Sequence, residues 1–239
     1  MKTIEIRDVA ALPYAMEEAI NRLRVNIGFL GSDIRKIMII STFPDEGKST
    51  IAINLWRQMA EAGTKTLLLD IDMRKSVFKE KHVPDLPKDE TFYGTSDYLA
   101  GNAEIENAIC RTQFESGHIM INMENVVNPS ILLESERFTE MLDYFSKNYR
   151  YTFVDAPPLD FVSDGERIGS KCDGAILVIR AGSTPTGAVK STIAQLERAG
   201  CPVLGVVLNR VENSKRGYYS GRSYYGRSYY GGEYYYGRK

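Results

Sequence analysis

A chain of 239 residues that is 43% hydrophobic and 26% charged has room for one ordinary globular unit with a sizeable core. No apolar run approaches the roughly 18 residues that a membrane span needs, and the acidic Glu5 and Asp8 do not suit a secretory leader, so a cytoplasmic location is expected. The three cysteines, Cys110, Cys172 and Cys201, are odd in number and widely spaced; they argue against a disulfide framework, and no metal-ligand spacing joins them to His82 or His118. The net charge of −1 conceals an asymmetry: from Lys215 onward six basic residues face Glu233 alone, a net of +5 that leaves −6 on residues 1–214. A basic tail on an acidic body is a segment drawn to something anionic.

In chain order, residues 13–29 read as a helix opened by Pro13, which suits a first helical turn. Residues 36–40 form a short apolar strand that runs into the loop Ser41–Thr50; Ile51, Leu55 and Met59 then recur at helical spacing until Gly63 ends the helix. Leu67–Leu69 is a second strand, closing on Asp70, and residues 74–117 read as loops and short helices around Ser96–Leu99. The alternation resumes with a short strand at His118–Asn122, a helix at Ile131–Phe145, a strand at Tyr151–Val154 closing on Asp155, and a helix from about Asp164. A strand at Ala175–Ile179, a helix at Gly187–Ala199 and a strand at Val203–Leu208 follow. Apolar strands alternating with helices specify an α/β fold, a buried parallel sheet covered by helices on both faces. Ligands in such sheets bind at the carboxyl ends of the strands, where Ser41, Asp70 and Asp155 stand.

Residues 1–214 are read as one domain and 215–239 as a flexible tail. Residues 217–239 hold nine tyrosines, Tyr218, Tyr219, Tyr224, Tyr225, Tyr229, Tyr230, Tyr234, Tyr235 and Tyr236, with six glycines, two identical GRSYY units and no aliphatic residue to build a core.

Thr42–Ser49 fits G-x-x-x-x-G-K-[ST] at Gly47, Lys48 and Ser49, with Thr42 where the first glycine belongs. In such a loop backbone N–H groups from Asp45 to Thr50 face phosphate, Lys48 reaches the outer phosphates and the Ser49 hydroxyl ligates Mg²⁺. A polar turn with a capping serine is the plainer alternative, and the strand before and amphipathic helix after favour the phosphate loop. Asp70 and Asp72, two apart in LLLDIDMR, fall on one side of an extended chain and repel each other unless a cation or proton intervenes. Asp155, between an apolar strand and Ala156-Pro157-Pro158, is a third carboxylate at a strand end.

These residues resemble the bacterial tyrosine kinases of capsule and exopolysaccharide assembly, a family on the P-loop NTPase fold. Ser41–Thr50 is similar to the family's Walker A loop, Leu67–Arg74 to its second motif and Tyr151–Pro158 to its Walker B; residues 94–102, residues 128–138 and the terminal tyrosine cluster are also similar. The resemblance implies ATP and Mg²⁺ as cofactors, with Lys48 on phosphate, Ser49 and Asp72 on the metal, Asp155 supporting it and Asp70 accepting the tyrosine proton. It implies the nine tail tyrosines as phosphorylation sites, modified in trans. Asn209, after the last strand, is a candidate for reading adenine, with a turn asparagine as the alternative.

The family's oligomerisation helix carries E-x-x-R-x-x-R; here Glu18 and Arg24 hold the outer positions, but Asn21 replaces the middle arginine and Arg22 follows it. Glu18 and Arg22 are spaced for an i,i+4 pair. Glu18 and Arg24, roughly 240° apart, suit partners on neighbouring subunits. The implied partners are further copies of the chain, in a homo-oligomeric ring, a separate transmembrane activator of the polysaccharide co-polymerase type that recruits the chain to the inner face of the membrane, and a cognate tyrosine phosphatase. Two other classes compete. Partition and division-site ATPases share the fold but place a lysine where Phe43 stands and lack a tyrosine-rich tail. A nucleic-acid-binding tail leaves Asp70, Asp72 and Asp155 without a purpose, so no nucleic-acid partner is expected.

Overall fold

The computed structural model describes residues 1–7, 12–87, 89–159 and 164–211. The nine tail tyrosines lie outside the described residues, as does the expected boundary at residue 214.

The elements run β1 (Lys2–Thr3), α1 (Tyr14–Gly28), β2 (Lys36–Ser41), α2 (Lys48–Glu61), β3 (Thr66–Asp70), α3 (Phe78–His82), α4 (Thr95–Leu99), α5 (Ile105–Ala108), β4 (Cys110–Arg111) and β5 (Gly117–Met120). They continue with α6 (Ser130–Glu134), α7 (Glu136–Asn148), β6 (Tyr151–Asp155), α8 (Asp164–Gly169), β7 (Gly174–Arg180), α9 (Thr186–Arg198) and β8 (Val203–Asn209). The eight strands form one sheet in the order β1-β4-β5-β3-β6-β2-β7-β8. All pairings are parallel except β4 with β5, so the sheet expected to be parallel is mixed near one edge.

The central strands are buried on both faces, which explains why Ile37–Ile40 and Leu67–Leu69 are continuous apolar runs and not alternating ones. Their side chains divide between two cores. Met38, Ile40, Leu67 and Leu69 meet Phe138, Met141, Leu142 and Phe145 of α7 on one face. Ile37, Ile39 and Leu68 meet Ile51, Leu55, Trp56 and Met59 of α2, with Ile20 and Ile27 of α1, on the other. Helix α1 is held on α2 by Arg57, whose guanidinium pairs with Glu17 at 2.8 Å, and by Gln58, which donates to the Glu17 carbonyl at 3.1 Å.

The helix expected over 131–145 is two helices. Ser135 between them is extended at ψ 152°, and its hydroxyl donates to the Leu132 carbonyl at 2.6 Å. This local bond offers the backbone an alternative to continuing the helix.

Phe145, on the core-facing side of α7, is fully buried. Phe145→Ala is expected to destabilise the protein by about 3–5 kcal/mol, through lost transfer energy and an unfilled cavity, as measured by urea unfolding.

Candidate active site

Strand β2 sits where the chain order reverses: β3 and β6 lie to one side and β7 and β8 to the other. The loop leaving its carboxyl end turns into α2 through Gly47, whose φ of 98° is a left-handed conformation that favours glycine. Beside it Asp45 also has positive φ, at 60°. A Cβ on Gly47 would collide with the amide nitrogen of Asn209.

Thr42 tolerates the place of the first glycine because it is not among the positive-φ residues. Its buried side chain accepts a hydrogen bond from Thr192 of α9 at 3.1 Å. The Glu46 side chain, expected among the nucleotide-binding groups, points into the protein. It accepts from the Phe43 N–H at 2.9 Å, from the Arg180 N–H at 3.3 Å and from the Thr184 hydroxyl. Asn209 donates through Nδ2 to the Glu46 carbonyl at 2.8 Å, and its Oδ1 accepts from the Arg210 N–H at 2.9 Å. Both ends of this carboxamide thus bond within the protein. Glu46 and Asn209 brace the loop from behind, leaving its outer side to a ligand.

Beneath the loop, Lys48 Nζ lies 3.5 Å from Asp72 Oδ2, 3.4 Å from Asp155 Oδ1 and 3.3 Å from Ser49 Oγ. Parallel register sets Asp70 directly beside Asp155, at the ends of β3 and β6. Asp72, just past β3, donates its N–H to Asp70 Oδ1 at 3.2 Å. All three carboxylates are buried. Burial pushes the Asp70 carboxyl up to about 7, with Asp155 adding to the effect and the Ser76 hydroxyl and Lys48 opposing it. Burial likewise raises Asp155, against the pull of Lys48. For Lys48 burial favours the neutral amine, but Asp155, Asp72 and Asp70 outweigh it and hold the ammonium above its ordinary value.

Three carboxylates against one ammonium leave a surplus of negative charge that a divalent cation would balance. Among the described residues no group of three His, Cys, Asp or Glu side chains forms a metal site by itself. That donor set fits Mg²⁺, which takes one or two carboxylates together with substrate phosphates. A cavity of about 620 Å³ opens at the cluster, lined by Gly47–Thr50, the three aspartates and Lys75–Phe78.

Three supporting contacts were not legible in the sequence. Ser76 donates to Asp70 Oδ2, and Arg74 pairs with the buried Asp164 at 2.7 Å while Ser130 bonds the same carboxylate at 2.7 Å. The arginine of DxDxR and the Asp at the start of α8 were visible as residues, but nothing in their spacing joins them. On α1, Arg24 donates to Asn21 Oδ1 at 2.9 Å, so the asparagine at the expected arginine position holds Arg24 along its own helix. The Glu18–Arg22 pair does not form among the described residues, and Arg22 is exposed.

Residues 35–164 match the family described as AAA domain. Tyrosine-protein kinase CpsD of Streptococcus agalactiae is 35% identical over 202 residues, covering 84% of this chain and 86% of that protein. The chain belongs to the bacterial tyrosine-kinase family. Its structure is similar to the kinase domain of Escherichia coli tyrosine kinase ETK, at a TM-score of 0.74 and 27% identity over 87% of this chain and 80% of that one. The division-site protein MinD of Pyrococcus horikoshii, solved with Mg-ADP, is less similar, at 0.61 and 25% over 76% of this chain and 72% of that one. The ranking favours the tyrosine-kinase family over the division-site ATPases.

The charge crowding has a measurable cost. A carboxyl whose folded pKa is about 7, against about 3.9 unfolded, contributes stability below pH 4 that is lost as pH rises through 7. Asp70→Asn removes that loss. In EDTA without nucleotide, the variant is expected to gain on the order of 2 kcal/mol at pH 8, and several degrees in Tm, with the advantage shrinking at pH 5.

Proposed function

We propose that this tyrosine kinase transfers the γ-phosphoryl group of ATP to tyrosine hydroxyls, its own tail tyrosines among them, and thereby controls capsular or exopolysaccharide synthesis and export. The observation that carries the reading is the division of labour among the carboxylates. Among the described residues Asp72 and Asp155 contact Lys48, whereas Asp70 makes no ion pair, is oriented by Ser76 and lines the same cavity.

In this reading Lys48 and the N–H groups at the start of α2 bind the outer phosphates and fix the transferred group in line. Ser49, Asp72 and Asp155 would hold Mg²⁺, which when bound neutralises charge developing on the phosphoryl oxygens. Asp70 accepts the proton of the incoming phenol. That hydroxyl, with a pKa of about 10, is neutral at working pH and gains from a positioned carboxylate. The Asp70–Ser76 contact fixes the direction of its oxygens. A partition-type ATPase needs no acceptor base in the cavity, and Phe43 stands where that class places a lysine.

Residues 1–214 form the kinase domain and 215–239 the substrate tail, reached in trans within a ring of copies. Arg22 is exposed and Glu18 makes no ion pair among the described residues, which leaves both for a neighbouring subunit, with Arg24 beside them. A transmembrane activator of the polysaccharide co-polymerase type recruits the kinase to the inner face of the membrane, and a cognate phosphatase reverses the modification. These partners rest on the family resemblance. Among the described residues no helix is long and apolar enough to cross a membrane.

Lys48→Met is expected to abolish ATP-dependent phosphotyrosine on a blot while leaving the far-UV circular dichroism unchanged. Full autophosphorylation by that variant would eliminate the site.

A further inference from the structure

The cavity lining includes cations that the chemistry above does not use. Segment 75–81 contains three lysines. Lys79 is tied down, donating to the Met123 carbonyl at 2.6 Å. Lys75 and Lys81 are exposed, line the cavity and make no ion pair among the described residues. Lys75 is rooted close to the chemistry, since its backbone N–H donates to Asp72 Oδ1 at 3.2 Å. Lys81 stands one helical turn beyond Val77, its N–H bonded to the Val77 carbonyl at 3.1 Å. Val77 lines the same cavity with 51% of its surface open, an aliphatic side chain that lies between the two lysines in the chain. A ligand that suits these three residues has an apolar ring and a dianionic end. Ser76, which donates to Asp70, stands between Lys75 and Val77 in the chain, so the segment is rooted next to the carboxylate assigned to the acceptor hydroxyl.

The tail supplies such a ligand once modified. Its tyrosines are adjacent pairs, 218–219, 224–225 and 229–230, and a triplet, 234–236. Neighbouring side chains leave the backbone in different directions, so only one of a pair can reach Asp70 at a time, which leaves the other for a different part of the cavity lining. We propose that Lys75, Val77 and Lys81 form a phosphotyrosine subsite that holds the modified member of a pair while its unmodified neighbour is presented to Asp70. The inference rests on the kinase reading and adds a preferred substrate to it: a tyrosine beside a phosphotyrosine. In that step the phenolic proton passes to Asp70, the new O–P bond forms, the bond from the γ-phosphorus to the bridging oxygen breaks, and ADP departs with that electron pair. An unmodified tail, at +5, is repelled by the two lysines, whereas each phosphotyrosine brings about −1.5 to −2 charges. The first transfer is therefore the slow one.

The test uses the full chain with ATP and Mg²⁺ and two synthetic peptides spanning residues 221–232, one unmodified and one phosphorylated at Tyr225. Transfer to each is followed by mass spectrometry. The phosphorylated peptide is expected to show a KM at least fivefold lower. A Lys75→Ala, Lys81→Ala double variant should lose that preference while keeping its KM for ATP and its rate on the unmodified peptide. Equal KM values for the two peptides in the wild type overturn the proposal and leave the kinase reading intact. A raised KM for ATP in the double variant, with the peptide preference unchanged, assigns the lysines to the nucleotide and also overturns it. Transfer to neither peptide, and none to the protein's own tail, defeats the kinase reading and the proposal with it.

Discussion

The structure depends on one buried ammonium group placed among carboxylates. Among the described residues Lys48 is the one cation in contact with Asp72 and Asp155, and Asp70 lies beside Asp155 on the adjoining strand. The sheet makes this crowding inescapable, because parallel register brings the ends of β3 and β6 level and each ends in an aspartate. Charges held this way are unfavourable in the empty protein and favourable once phosphate and a divalent cation arrive. The fold therefore keeps part of its stability in reserve for its ligand, a trade between stability and activity common at catalytic sites.

The site was legible because its residues are read in short windows. Gly47, Lys48 and Ser49 follow one strand, Asp70 and Asp72 close another and Asp155 a third, so local pattern and parallel topology together bring them into one place. What bracing the loop requires was not legible. Glu46 stands within the motif, where its backbone N–H is expected to face phosphate, while its side chain bonds Phe43, Arg180 and Thr184, the last two more than 130 residues away. Asn209 likewise binds the loop itself. Such contacts depend on how distant strands align, which no window of sequence contains.

The strands at the far edge were missed for a different reason. β1 and β4 have two residues each, too few to show an alternation, and their pairing is set by the chain on either side. The single helix expected over 131–145 failed at Ser135, where a side-chain bond competes with the helical ladder and hydrophobic spacing gives no warning. Periodicity reports which face is buried, and it is silent about interruptions that keep the face in phase.

Asn209 is also the final residue of β8, two positions before the last described residue, Val211. The strand that holds the phosphate loop in shape is thus the strand from which the tyrosine-rich segment departs. Any displacement of the end of β8 would therefore reach Gly47 through a single carboxamide.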